Sequence, residues 1–414
     1  MHNKGLVLSI IDLDQALHRP NGGSRRFQLF LDAAAAACES VRLVAFTPVV
    51  NQVCDERQLT GQIERLWGIK IHLRNVIVPP VPISNSKLYL NPIFRASDHP
   101  EFSRFYCEVV RESVLSEMAL DPDVVIVRGQ ALADSFTEMT GRPSRAHYDM
   151  DDISHRKYRR MVKAGEIWGP RWLNALQYPC RKYYDRSVAS AFLSSYVCSE
   201  TDKHYCMEKM GLQNVSVVPN AMPVHPPMPQ VKSHSLLFVG SLGYAPNARA
   251  LHLLIDRILP LLVRRFGDVE VLVAGEAPEA IRKRYEKVKN VKLLGFVEDL
   301  DSVYAASRAV VCPIISGGGT RVKLIEAAMR GKPIITTRIG AEGLGFVDQE
   351  HMLEANDPQS FAEACARILV DDEIGFRIGS AARALAQSCL SFTSVRDRLA
   401  ALLLRENINR ASPA

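Results

Sequence analysis

The sequence predicts an α/β protein of two domains, each built on a doubly wound parallel sheet. A chain of 414 residues is too long for one ordinary core and fits two domains of roughly 200 residues each. Short apolar runs alternate with helical patterns through the first half, and this alternation restarts after residue 232. Because such alternation is typical of parallel sheets with helices on both faces, we expect a Rossmann-like domain in each half.

The first domain is predicted over residues 1–222. Helical spacing covers 24–37, which follows the loop Pro20-Asn21-Gly22-Gly23, and also covers 130–139. Apolar runs of strand length define the sheet, and they are GLVLSII (5–11), VRLVAFTP (41–48), DVVIV (123–127), AHYDM (146–150), FLSSYVCS (192–199) and VSVVPN (215–220).

The second domain is predicted over 233–390, after a linker at 223–232. Residues 221–232 contain four prolines and almost no periodic apolar pattern, which indicates a linker. The strands that follow are predicted at LLFVG (236–240), VEVLVAG (269–275), VKLLGF (291–296), AVVCPI (309–314) and KPIITT (332–337). Parallel sheets bind ligands at the carboxyl ends of their strands, so we expect one cleft where two such sheets face each other.

Composition narrows the class of protein. The chain is 47% hydrophobic and 23% charged, which is typical of a globular protein. Its nine cysteines include no CxxC pair, which favours reduced thiols over a zinc site or a disulfide framework. No apolar stretch approaches the roughly 20 residues of a membrane helix, and no signal peptide is visible. We expect a cytoplasmic protein, bound at most to the inner face of a membrane, and its net charge of +6 suits anionic partners.

The densest motif is ISGGGTRVKLIEAAMRGKPIITT (315–337). A predicted strand ends near Ile315, the glycines 317–319 follow, and a helix is predicted from Thr320 or Arg321 to Gly331. Glycines let a ligand approach the backbone closely, and a helix N-terminus offers N–H groups and a positive dipole end. The pattern therefore predicts a diphosphate site, although a glycine triplet before a helix can also be only a flexible turn.

Charged residues extend this motif. Arg321 and Lys323 add positive charge near the predicted phosphates. Glu326 lies about one and a half turns into the helix, roughly 8 Å along it, where a carboxylate can accept hydrogen bonds from a ribose diol. The alternative is that Glu326 belongs to a solvated helix face.

The stretch 236–345 resembles the donor domain of family 4 glycosyltransferases. The resemblance rests on FVGSLGYAPNARAL, VLVAGEAP and LLGFVEDLDSVYAASRAVVCPIISGGGTRVKLIEAAMRGKPIITTRIGAEGL, which match in order and spacing over about 110 residues. The first half is similar through PNGG (20–23), DMDDISHRKYRR (149–160) and VCSETDKHY…VSVVPNAM (197–222).

This resemblance implies a GT-B fold, a nucleotide-diphosphate sugar donor, retention of anomeric configuration and no need for a metal or other cofactor. It also implies that Glu326 binds the ribose, that Gly295-Phe296-Val297 lies beside the base, and that a C-terminal helix near 393–408 completes the first domain. Donor contacts are expected from Gly22, Gly23, Gly240, Ser241, Arg249, Phe296, Val297, Gly317, Gly318, Gly319, Thr320, Arg321, Lys323 and Glu326.

The chain departs from the family pattern at two places. Many members carry a glutamate eight residues before the ribose-binding one, where this chain has Gly318. Many also carry an arginine and a lysine after the first donor-domain strand, where this chain has Gly240-Ser241 and no cation before Arg249. We therefore expect contacts to the sugar and the diphosphate that differ from those of the family.

Besides Glu326, the candidate catalytic residues lie in the first half. Asp149-Met150-Asp151 spells the DxD metal signature of another glycosyltransferase architecture, but a polar loop is favoured, in which Asp149 or Asp152 orients an acceptor hydroxyl. Arg128 directly follows a buried strand, so it is predicted at the ligand-binding edge of the sheet, and His155 is a further candidate. The alternatives are a solvated Arg128 and a purely structural histidine.

Residues 156–186 combine nine Lys/Arg with aromatic side chains, among them Trp168, Trp172 and Tyr183. Such a mixture suits an anionic membrane surface or a lipid-diphosphate acceptor. The alternatives are nucleic-acid binding, which we do not expect, and an ordinary solvated helix face.

The sequence therefore predicts a retaining glycosyltransferase that moves a sugar from a nucleotide-diphosphate sugar to a glycan, a lipid-linked acceptor or a small molecule. Two alternatives stay open. One is a nucleotide-sugar epimerase or hydrolase on the same fold, and the other is a non-catalytic nucleotide-sugar binding subunit.

Overall fold

The chain forms two compact units in a computed structural model that describes residues 3–48, 55–78, 107–141, 146–163, 165 and 171–411. The first unit comprises residues 1–220 together with 393–414, and the second comprises 221–392. Each unit is a parallel sheet with helices around it. The prediction of two doubly wound α/β units is confirmed.

The first unit contains a seven-stranded sheet in the order β3-β2-β1-β4-β5-β6-β7. Its strands are β1 (Lys4–Ile10), β2 (Ser40–Pro48), β3 (His72–Val78), β4 (Val124–Arg128), β5 (Ala146–Asp151), β6 (Ser194–Val197) and β7 (Val215–Val217). Its helices are Leu13–His18, Gly22–Ala37, Glu56–Trp67, Glu108–Met118, Gln130–Thr140, Ser154–Lys163, Arg171–Ser190, Glu200–Met210 and the C-terminal Phe392–Ala411. The sequence analysis missed β3, an edge strand whose apolar pattern Arg74 and Asn75 interrupt.

The second unit contains a six-stranded sheet in the order β10-β9-β8-β11-β12-β13. Its strands are β8 (Ser235–Val239), β9 (Glu270–Ala274), β10 (Val291–Gly295), β11 (Ala309–Cys312), β12 (Ile334–Thr336) and the two-residue β13 (Leu353–Glu354). Its helices are Ala245–Leu253, which continues through the π-helical segment Leu254–Ile258 into Leu259–Phe266, then Glu279–Tyr285, Leu300–Ala306, Val322–Met329, Arg338–Ala341, Pro358–Val370 and Asp372–Cys389.

The strand order reverses direction once in each sheet, between β1 and β4 and between β8 and β11. At such a point the connections on either side run to opposite faces, which leaves a crevice beyond the carboxyl ends of the two strands. The residues that follow β1, β4, β8 and β11 are therefore the places to look for bound ligands.

The proline-rich segment 223–232 packs along the second unit and is not a free linker. Met228 N donates to Arg330 O at 2.8 Å, and Lys332 Nζ donates to Pro229 O at 2.8 Å. Arg308 Nη1 donates to Val231 O, also at 2.8 Å. Because prolines lack an N–H, the segment cannot pair regularly with a strand, and its carbonyl groups need other donors. The buried side chains of Lys332 and Arg308 are such donors.

None of the helices described has both the length and the apolar character that crossing a bilayer requires.

Candidate functional site

A glycine-rich loop connects β11 to the helix Val322–Met329. Gly317 and Gly319 have φ of 104° and 64°, in the left-handed region that disfavours residues with a Cβ. The Arg321 guanidinium stabilises the loop through three hydrogen bonds. Its Nη1 donates to the carbonyls of Gly318 and Gly319, and its Nη2 donates to Ser316 O at 3.4 Å. In a trans peptide the C=O and the next N–H point in opposite directions, so the following N–H groups point away from Arg321.

Gly240 and Gly275, which follow β8 and β9, let the ends of these two strands approach closely. A Cβ on Gly275 would lie 2.2 Å from Gly240 O, a distance that real atoms do not tolerate. A Cβ on Gly317 would lie 3.2 Å from the hydroxyl oxygen of Tyr244, in the loop after β8. The carboxyl ends of β9, β8 and β11 thus present closely packed backbone, as a phosphate-binding crevice needs.

Glu326 lies on the helix after this loop and is 8% exposed. Its Oε2 is 3.5 Å from the Tyr304 hydroxyl, and its Oε1 is 3.6 Å from Arg330 Nη1. Burial, reinforced by the Glu326 carboxylate, raises the pKa of Tyr304 well above its usual range, so the hydroxyl stays protonated and can donate. The Arg330 Nη2 also pairs with Asp301 at 2.6 Å. The carboxylate of Glu326 is therefore held in one orientation.

The first unit has a cavity of about 260 Å³ beyond the ends of β1 and β4. The cavity is lined by Ser9, Ile10, Ile11, Asp12, Gln15, Asn21, Gly23, Ser24, Arg128, Gly129, Asp149 and Asp151. Gly22 and Gly23 form the first turn of a helix and not a loop, because Asn21 caps this helix and its Oδ1 accepts a hydrogen bond from Ser24 N at 3.0 Å. Polar groups dominate the lining, so the cavity suits a ligand rich in hydroxyl groups.

Asp149 contributes to this cavity from within a buried ion cluster. Its side chain is 1% exposed, and it accepts hydrogen bonds from Arg26 Nη2 at 2.6 Å and from Arg128 Nε at 2.8 Å. The prediction that Asp149 belongs to a polar loop is wrong, since the residue lies inside β5, where Arg26 and Arg128 hold its carboxylate in the cavity wall.

Asp151, two residues on, is the more accessible carboxylate, with 42% of its side chain exposed. It has a φ of 53° beside an irregularity in the pairing of β5 with β6. Burial by itself raises the pKa of Asp151, but Arg26, the Cys198 thiol and Arg128 outweigh it and lower the pKa. The sequence analysis considered Asp151 only as a metal ligand. A backbone conformation that costs a non-glycine residue free energy is a signal of function that no sequence pattern reveals.

Residues 233–371 match the family model described as Glycosyl transferases group 1. Among curated proteins, the chain is 26% identical over 226 residues to a phosphatidyl-myo-inositol mannosyltransferase of Mycolicibacterium smegmatis, which covers 51% of this chain and 55% of that protein. It is 24% identical over 192 residues to an uncharacterized 44.6 kDa protein in the cps region of Klebsiella pneumoniae, covering 44% and 48% of the two chains. The chain spans about half the length of the curated relatives it matches.

Solved structures extend the likeness to nearly the whole chain. Sucrose-phosphate synthase from Thermosynechococcus elongatus has a TM-score of 0.68 at 15% identity, covering 99% of this chain and 100% of that one. Anabaena HepE in complex with UDP and glucose has a TM-score of 0.65 at 15% identity, covering 97% and 99%. The chain has the GT-B fold, and the residues that match the group 1 glycosyltransferase model lie in its second unit. Membership of family 4 stays a prediction.

The second unit places most of the expected donor residues at one edge of its sheet. Gly240, Ser241, the loop 317–320 and Glu326 follow or flank β8 and β11. Phe296 directly follows β10 and is 50% exposed, while Val297 packs against the core. Gly22 and Gly23 lie in the first unit, so their contact with a donor stays a prediction.

His155 lies apart from the cavity and is fully buried. Its Nδ1 is 2.6 Å from Asp185 Oδ2, and its Nε2 is 2.8 Å from the Tyr205 hydroxyl. Both ring nitrogens are therefore engaged, and this arrangement favours a structural role over the catalytic one considered from the sequence.

Part of the basic and aromatic stretch 156–186 is satisfied within the first unit. Arg181 lies over the Tyr158 ring at 4.1 Å, and Arg159 lies over the Tyr178 ring at 5.1 Å. Glu166 and Trp168 lie outside the described residues, as does the side chain of Trp172. Contact with a membrane stays a prediction.

Proposed function

We propose that this chain is a retaining glycosyltransferase that uses a nucleoside-diphosphate sugar. The observation that carries the proposal is the edge of the second sheet where β8 and β11 end. There, backbone N–H groups, a helix N-terminus and two cations lie near the fixed carboxylate of Glu326, which is just over one turn into the helix, roughly 6 Å along it. A diphosphate at the helix start and a ribose at Glu326 would satisfy these groups together.

The comparisons support the same chemistry. One relative is named a mannosyltransferase. One structural neighbour, Anabaena HepE, was solved in complex with UDP and glucose and also with UDP-glucose. A nucleoside diphosphate is present in both of these complexes, and it fits the positive edge of the second sheet.

For the acceptor, we propose the cavity of the first unit. Its lining combines hydroxyl, amide and carboxylate groups, which can hydrogen-bond the hydroxyls of a glycan, a lipid-linked sugar or a small polyol. Asp151 presents an exposed carboxylate, while Arg128 and Asp149 fix the cavity wall. In a retaining reaction of this kind the leaving diphosphate can accept the proton of the acceptor hydroxyl, so no separate general base is required.

We also propose that transfer needs no divalent cation. The loop N–H groups, the helix dipole, Arg321 and Lys323 supply positive potential where a metal would otherwise neutralise the diphosphate. Transfer should therefore persist in a chelator. Activity that is lost with chelator and restored by magnesium or manganese would contradict this proposal.

Membrane contact through residues 156–186 is a further part of the proposal. Tyr183 is 72% exposed beside Lys182, which suits an interfacial anchor on an anionic surface. Flotation with phosphatidylglycerol vesicles should exceed flotation with phosphatidylcholine vesicles, and Tyr183→Ser should reduce it. Equal flotation with both lipids would contradict membrane contact of this kind.

The function is tested by screening UDP, GDP, ADP and their sugars in a thermal-shift assay. A ligand at 100 times its dissociation constant adds about 2.7 kcal/mol to the free energy of unfolding. With the donor that binds, the anomeric configuration of the product is read by NMR. We expect transfer with retention. An inverted product would overturn the retaining mechanism, and donor turnover without any acceptor would favour a hydrolase or an epimerase.

A further inference from the structure

The ammonium group of Lys323 lies at the carboxyl end of β8, although its backbone belongs to the helix that follows β11. Its Nζ is 2.7 Å from Asn247 Oδ1 and 5.1 Å from the centre of the Phe238 ring. Within the part of the chain that the structure describes, Lys323 forms no ion pair with a carboxylate. A partly buried cation is thus held by a neutral amide and an aromatic face.

Asn247 connects this ammonium group to the loop after β8. Its Nδ2 donates to Ser241 O at 2.8 Å, while its Oδ1 accepts from Lys323. Both ends of the amide are therefore assigned by their partners, and the side chain is 7% exposed. This residue fixes the ammonium relative to the crevice between β8 and β11.

Gly240 provides the space for this arrangement. A Cβ on Gly240 would lie 2.6 Å from Lys323 Nζ and 2.8 Å from Asn247 Nδ2. The ammonium therefore rests directly against the backbone that ends β8, where only glycine leaves room for it.

Arg321, the neighbouring cation, is bound by the backbone of the glycine loop. Three loop carbonyls occupy the Arg321 guanidinium, and the loop after β8 contains no cation before Arg249. Burial lowers the pKa of Lys323 and the positive charge of Arg321 adds to this effect, while Cys312 and Glu326 offset it only in part. An anion bound at this place would compensate both effects.

We propose that the Lys323 ammonium binds the diphosphate of the donor and that Asn247 is its positioning residue. Lys323 belongs to the helix after the glycine loop, and its side chain extends to the end of β8. It would take the place of cations in the loop that follows β8, which has none before Arg249. This inference rests on the proposed function, since it assumes a nucleoside-diphosphate donor.

Calorimetric titration with UDP and GDP, and with uridine and guanosine, tests the assignment. The wild-type chain should bind one diphosphate far more tightly than its nucleoside. Lys323→Met should weaken the diphosphate roughly ten- to a hundredfold, the loss expected for a charge-assisted hydrogen bond, and leave the nucleoside unchanged. Lys283→Met is the matched control, because Lys283 is 71% exposed and its ion pair is with Glu279 on its own helix.

Asn247→Asp separates a role in binding from a structural one. The new carboxylate would pair with Lys323 but would lose the hydrogen bond to Ser241 O, so we expect a folded variant with weaker diphosphate binding. A variant that folds and still binds diphosphate like the wild type would overturn the proposal. This variant also decides the matter if Lys323→Met does not fold.

The titrations distinguish a failure of the proposed donor class from a failure of the Lys323 assignment. A wild-type chain that binds neither UDP nor GDP would overturn the proposed donor class and this assignment with it. A wild-type chain that binds one of them, with equal affinity in Lys323→Met, would overturn this assignment alone.

Discussion

The carboxyl edges of the two sheets occupy the same topological position but differ in how their charges are arranged. At the edge of the first sheet, Asp149 accepts hydrogen bonds from Arg26 and Arg128, and Asp151 lies 3.5 Å from Arg26, so two carboxylates balance two cations. At the edge of the second sheet, Arg321 is held by backbone carbonyls and Lys323 by an amide oxygen. The first edge is an internally neutral scaffold, and the second keeps a positive potential.

This difference indicates which ligand each edge can hold. Buried ion pairs are costly to desolvate and are rigid once formed, so they fix a cavity wall without attracting a charged ligand. Cations on neutral acceptors keep their attraction for an anion, and a crevice of low dielectric constant strengthens it. We therefore expect a site for neutral hydroxyl groups in one unit and, as proposed, a diphosphate site in the other.

The largest expected effect comes from Gly319→Val in the second unit. Gly319 has a φ of 64°, where a β-branched residue is strained by roughly 1–2 kcal/mol and would displace the loop N–H groups. We expect a folded chain without transfer activity. The matched control is Gly267→Val, since Gly267 has a φ of 77°, open space around its Cβ position and a place at the opposite edge of the sheet. Donor affinity and turnover close to wild type in Gly319→Val would show that the loop does not hold phosphate.

The ion cluster of the first unit is tested by Asp149→Ala. The substitution removes the carboxylate that both Arg26 and Arg128 contact most closely and leaves only Asp151, at 3.5 Å from Arg26, so it should lower the stability of the first unit by about 3–5 kcal/mol. Trp67, Trp168 and Trp172 are the three tryptophans of the chain and all belong to the first unit, so their fluorescence during urea unfolding reports on that unit. Asp14→Ala, at a half-exposed aspartate of the same unit, should change the transition little. A similar small change in Asp149→Ala would remove the contrast between the two edges.

A smaller effect is expected from Glu326→Ala. Loss of hydrogen bonds from a ribose diol to a charged acceptor should weaken nucleoside-diphosphate binding by roughly 1.5–3 kcal/mol. Comparing UDP with 2′-deoxy-UDP, or the guanosine pair if GDP is the ligand, sharpens the test, because the penalty should shrink when the ribose lacks its 2′-hydroxyl. An equal penalty with both nucleotides would place Glu326 elsewhere in the site, and Glu279→Ala on an exposed helix serves as the control.

The smallest expected effect is the pH dependence contributed by Lys332, another cation held by neutral groups in the second unit. Its Nζ donates to Pro229 O and Ser307 O, both at 2.8 Å, and burial, with the charge of Arg308, lowers its pKa from 10.5 to about 8. Between these pH values the unfolded chain binds the extra proton, so the contribution of Lys332 to stability increases as the pH rises from 8 to 10.5. The difference in melting temperature between wild type and Lys332→Met should grow in that direction. A difference that does not change with pH would contradict the lowered pKa.

The local features of both units could be predicted from the sequence. Every apolar run singled out in it forms a strand, and the helix after the glycine loop begins within two residues of its predicted start. The strands that were missed, His72–Val78 and Leu353–Glu354, lie at sheet edges where polar interruptions or a length of two residues weaken the pattern. Glycines before a helix also carried enough information to locate a candidate phosphate site.

What the sequence by itself determined is therefore the alternation of strands and helices, the division into two sheets and the position of the glycine loop. These depend on residues a few positions apart, whose spacing is visible in the chain. Only the tertiary structure decided which charges meet. Asp149 finds Arg26 at a separation of 123 residues, and Lys323 finds Asn247 at a separation of 76. Such partners are brought together by the order of strands in the sheet, so no local pattern indicates whether a cation faces a carboxylate or a neutral amide, and that choice determines what each edge can bind.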